Sequence, residues 1–192
     1  MTADDRKQRL RRLDQIFVRT PIYFVTTCTN NRRAILAKQS VHQAFVRFAE
    51  KGAQRGAWVG TYVLMPDHLH ALTDSALKPS KILQYINGII SRRVIDHLKE
   101  HGHNASLRKL KRESGARGHQ YSLWAHHSNA FPVFSEDMFM QKVNYIHQNP
   151  VRAAMVERAE DYHWSSVRIW KRCPLEDEPL MVNIEQLKWR QR

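Results

Sequence analysis

Two histidines separated by one residue, His68 and His70, stand in the stretch Met65-Pro66-Asp67-His68-Leu69-His70-Ala71-Leu72. Side chains alternate along a β-strand. A strand here puts both imidazoles on one face, about 6.6 Å apart along the backbone, and turns Leu69 and Ala71 to the other. Neutral imidazole is a common ligand of divalent metals, and a pair of them leaves positions open for water or substrate. Two ordinary sheet histidines bonded to their neighbours satisfy the same spacing, so the pair needs a partner elsewhere in the chain.

The candidate partner is Asn144-Tyr145-Ile146-His147-Gln148-Asn149-Pro150. At about 100° per residue, the apolar stripe of a helix runs through Phe139, Val143 and Ile146, while Tyr145 and Asn149, four apart, share a different face. A phenol beside an amide suits phosphoryl chemistry. Tyr145 can serve as a nucleophile that forms a covalent phosphotyrosine, and the carbonyl oxygen of Asn149 can join a metal site. The plainer alternative is that Tyr145 packs on the sheet and that Asn149 before Pro150 merely ends a helix. Free tyrosine ionises near pH 10, so attack on a phosphodiester at neutral pH needs help. A metal held by His68, His70 and Asn149 can polarise the phosphate and stabilise the departing 3′ oxygen. No GxxxxGK[ST] loop is present, which argues against ATP-driven chemistry.

The elements that must position these groups are readable. Ile22 to Thr27 is a β-branched and aromatic run after Pro21 and predicts a buried strand. Residues 40–55 carry Val41, Ala44, Phe45, Phe48 and Ala49 at helical spacing, with Ser40 as the expected cap. Trp58 to Met65 and His68 to Thr73 predict two strands joined at Pro66-Asp67. Residues 80–99 form a second amphipathic helix, with Ser80 as cap, and 101–120 break into a basic loop holding Arg108, Lys109, Lys111, Arg112 and Arg117. Tyr121 to Trp124 and Ala130 to Phe134 predict strands. Ser135-Glu136-Asp137 opens a helix that should stop near Asn149, because proline disfavours helical geometry in the residue before it. One α+β domain with an antiparallel sheet accounts for this order.

The 192 residues hold 31 Lys and Arg against 18 Asp and Glu, a net charge of +13. This excess favours a polyanionic partner, nucleic acid first, although an acidic membrane surface satisfies the charge too. No apolar run is long enough for a membrane span, and the charged N-terminus lacks a secretory hydrophobic region, so a cytosolic protein is expected. Cys28 and Cys173 fit neither a disulfide framework nor a CxxC site and are expected to be reduced. Arg6, Lys7, Arg9, Arg11 and Arg12 form a basic arm over 1–16. Arg152, just after the tyrosine's helix, is the first candidate for phosphate contact, with Arg92 and Arg93 behind it and Lys109 and Arg112 on the basic loop. Trp124, Tyr121, Phe131 and Trp164 are candidate platforms for stacked bases.

The histidine motif, together with Tyr145-Ile146-His147-Gln148-Asn149-Pro150-Val151-Arg152-Ala153, resembles the single-tyrosine HUH transposases of the IS200/IS605 type, and most closely the REP-associated tyrosine transposases. The likeness covers about residues 17–170, leaving 171–192 as a tail expected to fold over the DNA site or the tyrosine's helix. It implies a ferredoxin-like, HUH endonuclease type of antiparallel sheet with helices packed on it. By the same resemblance His68, His70 and Asn149 would bind Mg²⁺ or Mn²⁺, and Tyr145 would form a 5′-phosphotyrosine. The partner would be single-stranded hairpin DNA, specifically REP-type palindromes of a bacterial nucleoid, cut by a monomer rather than a dimer. Insertion-sequence enzymes usually carry Gln at the position of Asn149, and the REP-associated branch carries Asn. Asp67 stands where the family commonly has Asn, and Ala154-Met155 where it commonly has Gly-Leu; neither change is expected to touch a ligand or the nucleophile. The activity so implied is metal-dependent nicking and strand transfer. A hairpin-binding protein without catalysis is the alternative, and hydrolysis by water is a third reading that leaves no covalent adduct.

Overall fold

The computed structural model describes residues 22–54, 57–75, 79–111, 120–125, 128–182 and 184. The expected basic arm with Arg6, Arg9, Arg11 and Arg12 lies outside them, as do Arg112, Arg117 and residues 185–192 of the tail. In chain order the elements are β1 (Ile22–Cys28), α1 (Gln39–Ala53), β2 (Ala57–Leu64), β3 (His68–Ser75), α2 (Pro79–Glu100), α3 (Asn104–Leu110), β4 (Asn129–Pro132), α4 (Glu136–His147), α5 (Asn149–Arg152) and α6 (Val167–Trp170). The sheet order is β2-β3-β1-β4, with every pairing antiparallel. A βαββαβ path with this strand order is the ferredoxin-like α+β arrangement.

Strand alternation sorts the sheet into two faces. Val25, Tyr62, Leu64, Leu69 and Ala71 meet Val41, Phe45 and Phe48 of α1 and Ile82, Ile86, Ile90 and Val94 of α2. Ile22, Phe24, Val63 and Leu72 point the other way, against Phe139, Val143 and Ile146 of α4. The first layer is the main core. The second is shorter, because α4 covers only part of the sheet and leaves the histidine end of β3 uncovered by apolar side chains.

The C-terminal segment departs from expectation. Leu180 and Val182 are buried in the α1/α2 layer and Ile184 packs against it, so this stretch closes the main core instead of crossing the tyrosine's helix. Its anchor is an ion pair of Arg168 with Glu178, whose side chains are 5% and 1% exposed. The Arg168 guanidinium also donates to the carbonyls of Glu160, Tyr162 and His163. Burial by itself would raise the Glu178 carboxyl, but the hydrogen bond from Arg168 holds it below the usual carboxylate range.

Local expectations also shift. Ser40 and Ser80 lie inside α1 and α2 and are not caps: Lys38 precedes α1 without a side-chain cap, and Pro79 takes the first position of α2, where a missing N–H costs nothing. The region 101–120, expected to be a loop, contains α3, because Leu107 and Leu110 are buried and give its polar sequence one apolar side. Tyr121 and Trp124 make only isolated bridges, to Lys111 and Thr29. Ser135 caps α4 as its sequence indicates, accepting from the Met138 amide at 3.1 Å.

His42, on α1, is 4% exposed with its ring centroid 3.7 Å from that of Trp164. Burial pushes its pKa down to about 4, opposed by the Leu36 backbone and reinforced by His163. The folded chain holds this ring neutral while the unfolded chain protonates it below about pH 6.5, so its contribution to stability is complete above that value and is lost as pH falls toward 4. The urea midpoint is expected to fall between pH 7 and pH 5, and His42→Leu to flatten part of that fall in the same titration series.

Candidate active site

The site begins in the tight turn of the β2–β3 hairpin. The Met65 amide donates to the His68 carbonyl at 2.8 Å, leaving Pro66 and Asp67 as the two turn residues. The turn is pinned by the segment that follows β1: the Thr29 amide donates to the Asp67 carbonyl at 2.8 Å and the Leu36 amide to that of Pro66 at 2.7 Å. From this fixed corner β3 runs antiparallel to β1 with His68 opposite Cys28 and His70 opposite Thr26. Both imidazoles therefore share the α4 face of the sheet, 4.9 Å apart between ring centroids.

Each ring is oriented by a neighbour. His68 Nδ1 lies 2.6 Å from Asp67 Oδ1, and His70 Nδ1 lies 2.9 Å from the Thr26 hydroxyl. Asp67 also pairs through Oδ2 with Arg32 Nε at 3.2 Å. The expectation that Asp67 touches no proposed ligand is thus corrected: its carboxylate contacts the His68 ring directly. Such an acceptor behind a histidine fixes ring orientation and leaves Nε2 for other work. His68 Nε2 points at Asn149 Oδ1, 3.1 Å away. Burial pushes the His70 pKa down to about 3, helped by the charges of His68, Arg32, Arg152 and Lys142, so this ring is neutral at ordinary pH.

Tyr145 and Asn149 arrive from the chain that covers this face. α4 stops at His147, near Asn149 as Pro150 indicates. Gln148 keeps a helical conformation and α5 begins at once, with Pro150 in its first turn, where proline is tolerated. Asn149 therefore stays in helical register with Tyr145, buried beside His68, while Tyr145 remains 39% exposed. The Tyr145 ring stands edge-on to His70 at 5.2 Å. Arg152 donates to the Tyr145 carbonyl at 2.6 Å and lays its guanidinium 4.4 Å from the centre of the phenol ring. Behind the helix, His147 Nε2 and the Ser166 hydroxyl are 3.1 Å apart in the buried layer.

These side chains surround an open cleft of about 410 Å³, lined by Thr26, Cys28, Arg32, His68, His70, Tyr145, Asn149, Arg152 and Ala153. The structure thus brings together His68, His70, Tyr145, Asn149 and Arg152. It does not bring Arg92 and Arg93 there: they are exposed on α2, on the opposite side of the sheet. Lys109 is exposed on α3, and its own backbone carbonyl accepts from Arg33. Of the candidate stacking residues, Trp124 donates to the Asn87 carbonyl and packs with Tyr121 against the α1/α2 layer, and Trp164 contacts His42. Phe131 lies on the α4 face, opposite Phe24, and Trp164 also packs against the apolar layer on that face.

Sequence reasoning missed Thr26, Cys28, Arg32 and Lys142. The period of two along β1 places Thr26 and Cys28 on one face, but their pairing with His70 and His68 depends on a register set by distant turns. Arg32 has no signal at all, since it reaches the cleft from a 3₁₀ turn (Asn30–Arg32) with φ of +52°.

The donor set fits a divalent cation of mixed character: one neutral imidazole, one imidazole backed by a carboxylate, and an amide oxygen already 3.1 Å from the latter. Among the described residues no three His, Cys, Asp or Glu side chains could hold a metal ion together. The amide oxygen of Asn149 would add a third donor to the two imidazoles.

An antiparallel ferredoxin-like sheet carrying a histidine pair, with a tyrosine supplied by a following helix, defines the class. The chain belongs to the family described as "Transposase IS200 like", whose model matches residues 18–114, a span that includes His68 and His70 and ends before Tyr145. Among solved structures it is similar to a REP-associated tyrosine transposase bound to a REP hairpin, at 16% identity and a TM-score of 0.56 over 85% of this chain and 87% of that one. A crystal structure from Deinococcus radiodurans R1, described as a candidate transposase, aligns at 19% identity and a TM-score of 0.43 over 68% of this chain and 92% of its own. No curated protein sequence matches the chain. No helix among the described residues is long and apolar enough to cross a membrane.

The departure at Ala154 has a visible consequence. After α5 the Met155 amide donates to the Pro150 carbonyl and the Ala154 amide to that of Val151, a Schellman closure with Ala154 at φ of +53°. Glycine suits this position, and an alanine Cβ there costs on the order of 1 kcal/mol. Ala154→Gly is therefore expected to raise unfolding stability by about 1 kcal/mol in urea titrations, a gain that is absent if the left-handed closure is absent.

Proposed function

We propose that this protein is a metal-dependent single-stranded DNA endonuclease and strand-transferase that nicks hairpin DNA of the REP type through Tyr145. The observation that carries the reading is the meeting, in one cleft, of an exposed phenol, a neutral His70 5.2 Å from it, and His68 Nε2 facing Asn149 Oδ1 at 3.1 Å. The family membership supplies the reaction class, and the fold likeness includes a protein solved with a REP hairpin.

In this mechanism Tyr145 Oη forms a bond to phosphorus and gives up its proton, while the P–O3′ bond breaks and the departing oxygen takes up a proton. The broken bond's energy stays in a 5′-phosphotyrosine, so return of a 3′-hydroxyl can reseal the strand without ATP. His68, His70 and Asn149 would hold Mg²⁺ or Mn²⁺, which when bound supplies charge stabilisation at the phosphate. Asp67 and Thr26 hold the two rings in place. Arg152 fixes the tyrosine by its carbonyl and ring face, and Arg32 offers a second guanidinium to the phosphate. In this reading the protein works as a monomer in the bacterial cytoplasm, on nucleoid DNA.

Incubating the protein with end-labelled hairpin oligonucleotides and Mg²⁺ or Mn²⁺ is expected to give a protease-sensitive, slowly migrating DNA band. Tyr145→Phe and a chelator should each abolish it. Cleavage that survives Tyr145→Phe would assign the attack to water, and tight binding with no cleavage would leave a hairpin-binding protein. Asp67→Ala should weaken Mn²⁺ binding about 10- to 100-fold by calorimetry while the fold, followed by circular dichroism, is retained.

A further inference from the structure

The aromatic rings on the cleft side of the sheet form a row that runs from the buried site out to solvent. Phe24 stacks on His70 with centroids 5.4 Å apart and planes within 17°. Phe131, its register partner on the edge strand β4, follows at 5.1 Å. Phe24 is 5% exposed and Phe131 is 39% exposed. A lone exposed phenylalanine is ordinary, but this one has a cation beside it. Lys142 Nζ sits 5.1, 5.4 and 5.9 Å from the ring centres of Phe24, Phe131 and Tyr145. Arg32 is paired with Asp67 and Arg152 with a carbonyl, whereas Lys142 has no carboxylate partner among the described residues.

A solvent-exposed aromatic ring beside an ammonium that has no carboxylate partner among the described residues, adjoining an exposed phenol, has the chemistry of one nucleotide: a flat base and a phosphate. We propose that Phe131 and Lys142 form a subsite for the nucleotide adjoining the bond that Tyr145 attacks, its base laid on the Phe131 ring and its phosphate paired with Lys142. The inference rests on single-stranded DNA being the substrate of the cleft and assigns where one base of it is held. Stacking on an aromatic face tolerates every base, so the subsite positions the strand without reading its sequence through hydrogen bonds. It also fixes which phosphodiester lies over Tyr145, because the stacked base is a single step from the scissile bond.

The test uses hairpin oligonucleotides that the wild-type protein cleaves, with an abasic residue walked one position at a time across the cleavage step, and anisotropy binding in a Tyr145→Phe background. One abasic position is expected to weaken binding roughly 5- to 150-fold. Phe131→Leu should cost the same on intact DNA and nothing further on that abasic strand, and Phe131→Trp should restore binding and guard against a folding defect. Lys142→Gln should lower the slope of log K against log salt by about 0.7, the loss of one phosphate contact on a single strand. Independent, additive penalties for the abasic position and for Phe131→Leu, or unchanged binding by Phe131→Leu in a protein that still cleaves, would overturn the subsite and leave the tyrosine mechanism standing. A wild-type protein that neither binds nor cuts single-stranded DNA removes both.

Discussion

Everything at the cleft depends on the register between β1 and β3. Thr26 faces His70 and Cys28 faces His68, so both imidazoles point to the α4 side. A slip of one residue would send them into the α1/α2 core and turn Leu69 and Ala71 to the cleft. That core makes the slip expensive, since fully burying one leucine is worth about 1.5–3 kcal/mol and Leu69 is completely buried. The apolar layer on one face thus enforces the polar site on the other. The turn at Pro66-Asp67, bonded through its backbone to Thr29 and Leu36, fixes the same register from its end.

The supply of Tyr145 and Asn149 is a helix problem solved at Pro150. A proline within an α-helix removes a hydrogen bond and clashes with the preceding turn, at roughly 3 kcal/mol. Here α4 ends at His147 and α5 starts at Asn149, so the proline falls where no N–H is required. The two side chains keep near-helical spacing across the break. The same turn frees the chain to close through Ala154 and leave Arg152 over the tyrosine. Behind it, Arg168 spends all of its donors on Glu178 and three carbonyls, tying the 160s and 170s to the body that α4 rests on.

Much of this was legible in the sequence. Alternation around His68 and His70, the β-branched run of β1 and the Ser135 cap each depend on neighbours within a few residues, and there the structure agrees with the reading. The helix α3 was hidden because two buried leucines in a basic stretch are too few to show a period. The end of α4 at His147 falls close to Asn149, as Pro150 indicates, but the short helix α5 that starts there was not readable, because proline is tolerated in a first helical turn and the packing of Asn149 and Pro150 decides whether one forms. Arg92 and Arg93 could not be excluded from the cleft by composition, since charge does not say which face of a sheet a helix covers. Arg32, Thr26 and Lys142 became visible only through pairings across the sheet and between layers.

Asp67 shows how one carboxylate sets two parts of the cleft. Its bond to His68 is shielded, with the histidine side chain 10% exposed, whereas its partner Arg32 is 60% exposed. An exposed ion pair of this kind is worth only about 0–1 kcal/mol, so an arriving phosphate can draw Arg32 away at small cost. The shielded contact is not so easily exchanged, because loss of the carboxylate leaves a buried ring nitrogen without an acceptor. An asparagine at this position can still accept a hydrogen bond from His68 through its amide oxygen, but it removes the charge that pairs with Arg32 at the cleft wall. The carboxylate therefore orients the ring whether or not an anion occupies the cleft, and holds a guanidinium that a stronger anion can draw away.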